Sequence, residues 1–102
     1  MNGAELIAQE RQRQIDGEGY DAGHDDEHDM GELAAAAMCY ADLAVDVEIS
    51  AIGDKAFSVQ WWPFAENEWK PSDDVVRDLT KAGALIAAEI DRLQRKQVAK
   101  NG

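Results

Sequence analysis

Glu10, Arg13 and Gln14 lie in a strongly polar run near the start of the chain and combine an acid, a cation and an amide. Spacings of three and four residues place them on one face if the run is helical. A guanidinium beside a carboxamide can hold a phosphate or the edge of a base. The alternative is a solvent-exposed helix with local salt bridges that contribute little. With the neighbouring Arg11, these residues are our first candidates for ligand binding.

The next candidate is an acidic segment over residues 24–32, which contains two histidines. If the segment is helical, Asp25, His28 and Glu32 share a face, where carboxylates repel one another unless a cation or hydrogen bonds compensate. Asp25, Asp26, His28 and Glu32 are therefore candidate metal ligands. Mg²⁺ or Mn²⁺ fits an oxygen-rich set, and zinc is an alternative because imidazoles are present. The competing interpretation is a solvated acidic helix start, favoured by the helix dipole.

A third candidate is a segment rich in aromatic residues. Its rings belong to Trp61, Trp62, Phe64 and Trp69. Aromatic faces stack on bases and a nearby cation can hold phosphate, so Trp62, Trp69 and Lys70 join the ligand-binding candidates, with Lys81 from the last predicted helix. The alternative is that the rings close the end of a thin bundle, which leaves one or two of them for a site or an oligomer interface.

Three helices are predicted to position these residues, over 3–16, 29–48 and 73–97. Each has a capping signal: Asn2 with Glu5, Asp29 with Glu32, and Ser72 after a proline. Residues 17–28 read as a loop or a ragged helix start. Residues 49–71 read as irregular and tryptophan-rich, and alternation over 56–61 makes a short hairpin an alternative there. We expect one all-α domain over 1–102, a compact three-helix bundle.

Apolar stripes at spacings of three and four mark the core faces that we expect for the second and third helices. The second helix carries Met30, Leu33, Ala37, Tyr40, Ala44 and Val47. The third carries Val76, Leu79, Gly83, Ile86, Ile90 and Leu93. Lys81 and Glu89 lie off this stripe and are expected to be exposed. Cys39, the only cysteine, is expected to be a buried thiol.

The formal net charge of −11 over 102 residues narrows the classes of partner. It argues against direct binding to nucleic acid or to anionic lipid, since both need a basic surface. A metal site, or mimicry of nucleic acid towards a basic partner, stays open. Without a basic, apolar leader or a stretch of about 18 apolar residues, we expect a cytoplasmic protein with no membrane contact. So small a helical unit is expected to form homo-oligomers.

Several segments together resemble a group of small bacteriophage and prophage proteins of unassigned function. They are 10–15, 18–20, 24–28, 31–34, 62–64, 69–71 and 77–90, which include Glu18-Gly19-Tyr20, Trp62-Pro63-Phe64 and Trp69-Lys70-Pro71. The resemblance spans most of the chain. It implies a phage-encoded protein that acts in the cytoplasm of a bacterial host, and it implies no activity.

A weaker resemblance is to the all-α, MazG-like nucleoside triphosphate pyrophosphohydrolases, which hold Mg²⁺ on helix-borne carboxylates. Their pattern is Glu-Glu-x-x-Glu on one helix and Glu-x-x-Asp on the next. This chain departs from both motifs: its second predicted helix has only Asp29-x-x-Glu32, and its third has Glu89-x-Asp91, one residue short of the spacing. The resemblance implies a Mg²⁺ cofactor and nucleotide hydrolysis.

Three functions follow as expectations. We favour a phage-encoded binding protein for a nucleotide-type ligand, which counteracts host defence by sequestering it. The first alternative is a Mg²⁺-dependent, MazG-like nucleotide pyrophosphohydrolase, so whether the chain is an enzyme stays open. The second alternative is an acidic mimic of nucleic acid that inhibits a host protein.

Overall fold

In the computed structural model of the chain, residues 1–49 and 61–101 are described, with side chains over 1–45 and 61–100. The elements are α1 (Gly3–Glu18), α2 (Ala22–Asp26), α3 (Glu32–Ile49), a single 3-10 turn (Glu66–Glu68) and α4 (Val75–Asn101). Over these two ranges the chain is all-α and holds no strand, which confirms the predicted fold class. The predicted hairpin over 56–61 lies almost wholly outside the described residues.

The two ends of α1 follow directly from local sequence. The Asn2 side chain accepts a hydrogen bond from the Glu5 backbone N–H (2.9 Å), and the Glu5 carboxylate accepts one from the Asn2 N–H (3.1 Å), so the predicted capping box is confirmed. Gly19 ends the helix in the left-handed conformation (φ 75°), which glycine adopts without steric cost. The helix reaches Glu18, two residues beyond its predicted end.

The predicted helix over 29–48 is wrong at its start. Gly31 has a φ of 82°, so no helix can run through it, and α3 begins at Glu32. Upstream, the Asp21 carboxylate accepts a hydrogen bond from the His24 N–H (2.9 Å) and starts the separate short helix α2. Met30, predicted as a core residue, lies outside the helix and is 85% exposed.

The core forms where α3 packs against α4, and α1 packs against another side of α4. Its buried members are mostly small: Leu33, Ala36, Ala37, Tyr40, Ala82, Leu85 and Ala88. Alanines on both helices allow a close approach of the two backbones. The predicted stripe is confirmed at Leu33, Ala37, Tyr40 and Ala44, and Cys39 is buried, which raises the pKa of its thiol.

The predicted core stripe of α4 is wrong for its five aliphatic residues, which are about half exposed, whereas its sixth member, Gly83, lies against Ile7 of α1. Val76, Leu79, Ile86, Ile90 and Leu93 are 41–56% exposed. The helix instead buries its alanine-rich side, which fits the alanines of α3.

This choice of face also buries Glu89, which was expected to be exposed. Glu89 forms an ion pair with Arg92, itself 6% exposed, so each charge compensates the other. At the start of α4 the Asp74 carboxylate accepts from the Val76 N–H (3.0 Å), so Asp74 caps the helix instead of Ser72. Among the described helices, none is long and apolar enough to cross a bilayer.

Candidate functional site

Glu10 is the centre of a buried charge cluster between α1 and α4. Arg13 donates to both carboxylate oxygens, from Nε at 2.8 Å and from Nη2 at 2.9 Å. Arg77 of α4 adds an ion pair from Nη1 at 2.7 Å, and Gln14 donates from Nε2 at 3.2 Å. The Glu10 side chain is 1% exposed, whereas Arg13 and Arg77 are 45% and 36% exposed. Two guanidiniums thus share one carboxylate and leave a local net charge of +1.

The pKa of Glu10 shows how strongly the arginines act on it. Burial alone would raise this pKa, but hydrogen bonds from Arg13 and Arg77 outweigh burial and hold it below its usual value of 4.5. The same pairing raises the pKa of the Arg13 guanidinium. Glu10 is therefore a charged residue that orients two arginines.

One crevice beside this cluster brings together six of the eight predicted ligand-binding residues. They are Glu10, Arg13, Gln14, Trp62, Lys70 and Lys81. The enclosed volume is about 30 Å³, enough for about one water molecule. Only a small group of a ligand can enter the crevice in this conformation.

The carboxamide oxygen of Gln14 is the notable polar atom of the crevice wall. Gln14 is 3% exposed, and its Oε1 is buried without a hydrogen-bond partner. A buried acceptor without a partner costs about 1–3 kcal/mol, so an N–H, an O–H or a water molecule placed there would be stabilised. Because Gln14 lines the crevice, a buried acceptor without a hydrogen-bond partner lies in the crevice wall.

At the rim of the crevice, Glu18 forms two long ion pairs with basic residues. Its carboxylate lies 3.3 Å from Arg13 Nη1 and 3.6 Å from Lys70 Nζ. Lys81 Nζ donates to the Lys70 carbonyl (2.7 Å) and lies 5.5 Å from the centre of the Tyr40 ring. Burial, reinforced by the nearby Arg77, lowers the pKa of Lys81. Arg13 and Lys70 are exposed enough to exchange Glu18 for another anion.

An open groove lies on the other side of the Glu10 cluster, between α1 and the start of α4. It is lined by Leu6, Gln9, Glu10, Gln12, Arg13, Asp74, Val76, Arg77 and Thr80, so two guanidiniums and two carboxylates border it. Its volume of about 620 Å³ is within the range of small-molecule sites, about 300–1,000 Å³. Arg13 borders both the groove and the crevice.

Three rings of the aromatic segment pack against the core. Trp62 and Trp69 contact each other (4.9 Å between ring centres) and both contact Tyr40, at 5.5 and 4.8 Å. Phe64 continues the cluster against Trp62 (5.4 Å), and all three rings of the segment are partly buried. Trp61 is 61% exposed, and Trp69 does not line the crevice.

The predicted metal ligands lie close in sequence but bind other residues. Asp25, fully buried, forms an ion pair with Arg11 (3.0 Å) and contacts His24 Nδ1 (2.9 Å). Arg11 also donates to the Tyr20 carbonyl, and through these contacts it connects α1 to the segment that contains α2. Arg11 does not line the crevice.

Asp26 and His28 have partners too. Asp26 binds Arg95 (2.7 Å), and His28 Nδ1 lies 3.3 Å from a Glu32 oxygen. The single helical face expected for Asp25, His28 and Glu32 is wrong, because Asp25 belongs to α2 and Glu32 to α3. Within 1–45 and 61–100, no three His, Cys, Asp or Glu side chains are placed to hold a metal ion.

The structure adds two residues that sequence reasoning missed. Arg77 pairs with Glu10 from 67 positions away, and only its position one turn before Lys81 hinted that the two share a face. Tyr20 lines the crevice, where burial, with the negative charges of Glu68 and Glu18, raises its pKa to about 12. None of the protein families, curated proteins or solved structures compared with this chain matches it.

Proposed function

We propose that the chain is a non-catalytic binding protein for a nucleotide-type anion, which lies in the groove between α1 and α4. The observation that carries the proposal is the convergence of two partly exposed guanidiniums, Arg13 and Arg77, on one buried carboxylate in a chain of net charge −11. Arginine donors in a fixed fork match phosphate oxygens. The shared carboxylate already orients the two side chains, so little rotamer entropy is lost on binding.

The surroundings of the two arginines favour a ligand that is larger than inorganic phosphate. The groove has room for a nucleoside and offers the apolar side chains of Leu6 and Val76 beside the polar Gln9 and Thr80. On the other side of Arg13, the crevice is lined by Gln14, whose buried oxygen has no hydrogen-bond partner. We further propose that the three longer helices act as one bundle, with the aromatic segment as its end.

The test measures ligand binding directly. The protein is titrated by calorimetry with nucleoside mono-, di- and triphosphates and with cyclic dinucleotides, in EDTA and then with Mg²⁺. We expect binding in EDTA, because the guanidiniums of Arg13 and Arg77 can contact a phosphate without a metal ion. Binding that needs Mg²⁺, accompanied by release of pyrophosphate, would replace this proposal with the pyrophosphohydrolase.

A charge added at the groove locates the site. Gln9→Glu places a carboxylate at the groove wall on an exposed position of α1 and should raise the Kd about two- to fivefold, the effect of one repulsive charge in a largely aqueous setting. Gln97→Glu is the matched control on the exposed end of α4 and should leave the Kd within about twofold. Equal effects of the two substitutions, or no binding at millimolar nucleotide, would refute the proposal. Phage origin and a role against host defence rest on the resemblance and stay predictions.

A further inference from the structure

The ligand proposal leaves most of the exposed apolar face of α4 unused, since only Val76 of this face also lines the groove. Five aliphatic residues on this one face, hereafter the α4 stripe, are about half exposed: Val76, Leu79, Ile86, Ile90 and Leu93. Together they leave on the order of 400 Å² of apolar surface, at the scale where a patch on a soluble monomer is often functional. That is about half of what one partner contributes to an interface of standard size, before flanking polar atoms are counted.

The spacing of the α4 stripe is that of a helix that pairs with another helix. With Gly83 included, its members follow one another at alternating intervals of three and four residues, which is the a/d pattern of a coiled-coil seam. The seam runs over about five turns of a 27-residue helix, so it is long enough for a continuous contact.

The stripe is also complementary to itself when a second α4 runs antiparallel. In the register that places Leu79 opposite Ile90 of a second copy, Val76 lies opposite Leu93, and Ile86 lies opposite Gly83. Every layer is apolar, and the largest gap is partly filled, because Ile7 of α1 lies over Gly83 in each copy. A two-fold axis relates such layers, as in most homodimers.

The placement of charges favours the antiparallel direction. The described α4 carries six basic and three acidic residues, a net +3, whereas the remainder of the chain carries −14. Contact along α4 therefore keeps the strongly acidic parts of two copies away from the interface. In the antiparallel register Asp73, at the acidic approach to one α4, comes level with Lys96 at the basic end of the other, and both side chains are exposed.

We propose that the α4 stripe is the interface of a homodimer in which two α4 helices pair antiparallel around a two-fold axis. The occupant of the stripe is a second copy of this chain. Val76 also lines the groove, but the other members of the stripe do not, so this inference does not rest on the proposed ligand.

The first test is the mass in solution. Light scattering after size exclusion should give about twice the chain mass of 11.2 kDa at micromolar concentration. Ile90→Glu, in the middle of the stripe, should raise the dimer dissociation constant more than about tenfold while far-UV circular dichroism stays helical. Met38→Glu is the matched control, since Met38 is 71% exposed on α3, outside the stripe, and should leave the dimer intact. A wild-type monomer at all concentrations would overturn the proposal.

The second test fixes the direction and the register. Leu79→Cys with Ile90→Cys in one chain should oxidise to a covalent dimer, because the two positions face each other only across the antiparallel interface. Within one helix they are about 16 Å apart, too far for a disulfide. Leu79→Cys alone should not cross-link, since equal positions meet only in a parallel pair. Cross-linking of the single variant in place of the double one would refute the antiparallel arrangement.

Discussion

The ion pair between Arg77 and Glu10 allows a sharp test of what burial adds to an electrostatic contact. A second pair in the chain, between Arg95 and Asp26, is its matched control. Both have a shortest N–O distance of 2.7 Å, and both arginine side chains are 36% exposed. The two differ in the acid, since Glu10 is 1% and Asp26 is 53% exposed.

The expected magnitudes follow from this difference. Arg77→Met removes one charge-assisted hydrogen bond to a buried carboxylate, worth about 1.5–3 kcal/mol in general. Arg13 still compensates Glu10, and Arg77 is partly hydrated, so we expect a loss of about 1–2 kcal/mol in the free energy of unfolding. Arg95→Met leaves an acid that water can solvate, and it should cost less than about 0.5 kcal/mol.

The assay is urea denaturation followed by circular dichroism, with both variants and the wild type at one chain concentration and at pH 7. Methionine retains much of the aliphatic stem, so loss of packing is similar in the two variants. Equal costs for Arg77→Met and Arg95→Met would refute the reasoning, because burial of the acid would then not matter. A cost at Arg77 above about 4 kcal/mol would also contradict it, since Arg13 would then not be compensating Glu10.

Three further predictions concern the same framework. Because the folded pKa of Glu10 is lowered, its charge stabilises the fold above the unfolded pKa of about 4.3, and this stabilisation is lost as the pH falls through the folded pKa. In urea melts from pH 7 to 3, the loss in free energy of unfolding caused by Glu10→Gln should therefore become smaller in acid. A loss that does not change with pH would contradict this. Gly83→Ala should lower the free energy of unfolding by about 1–3 kcal/mol, since the added Cβ would lie 2.5 Å from an α1 side chain. Gly17→Ala, whose Cβ would have its nearest atom at 3.8 Å, should instead raise it by a few tenths to 1 kcal/mol. Equal shifts in melting temperature would refute this steric account. In samples diluted to monomer, Leu85→Ala should lower the free energy of unfolding by about 2–5 kcal/mol, because Leu85 is buried, and Ile86→Ala should lower it by less than about 1 kcal/mol. The reverse order would mean that the α4 stripe, and not the alanine-rich face, lies in the core.

Part of the candidate site could be read from the sequence, because it depends on spacing within one helix. Glu10, Arg13 and Gln14 were predicted to share a face, and they do, since three- and four-residue intervals require it. Their burial was not predictable from α1 alone. The burial of Glu10 arises because α4 supplies Arg77, and a carboxylate paired with a second guanidinium can be buried at a lower cost in free energy.

The acidic segment shows the opposite case. Asp25 and Asp26 look like open ligands when read along the chain, because the arginines that bind them are 14 and 69 positions away. Nothing in the local pattern names Arg11 or Arg95 as partners. Only the packing of α2 against α4, with α1 nearby, brings those charges together.

The sequence by itself determined where α1 begins, to within two residues where it ends, that the described residues are helical, and which face of α3 is buried. These are local properties, decided by capping side chains, by a glycine that accepts a positive φ, and by an apolar periodicity on one side of the helix. Only the tertiary structure decided which face of α4 enters the core. That helix has an alanine-rich face and an aliphatic face, and both read as apolar. The alanine face is buried because it fits the alanines of α3 closely and because Glu89 and Arg92 can pair there.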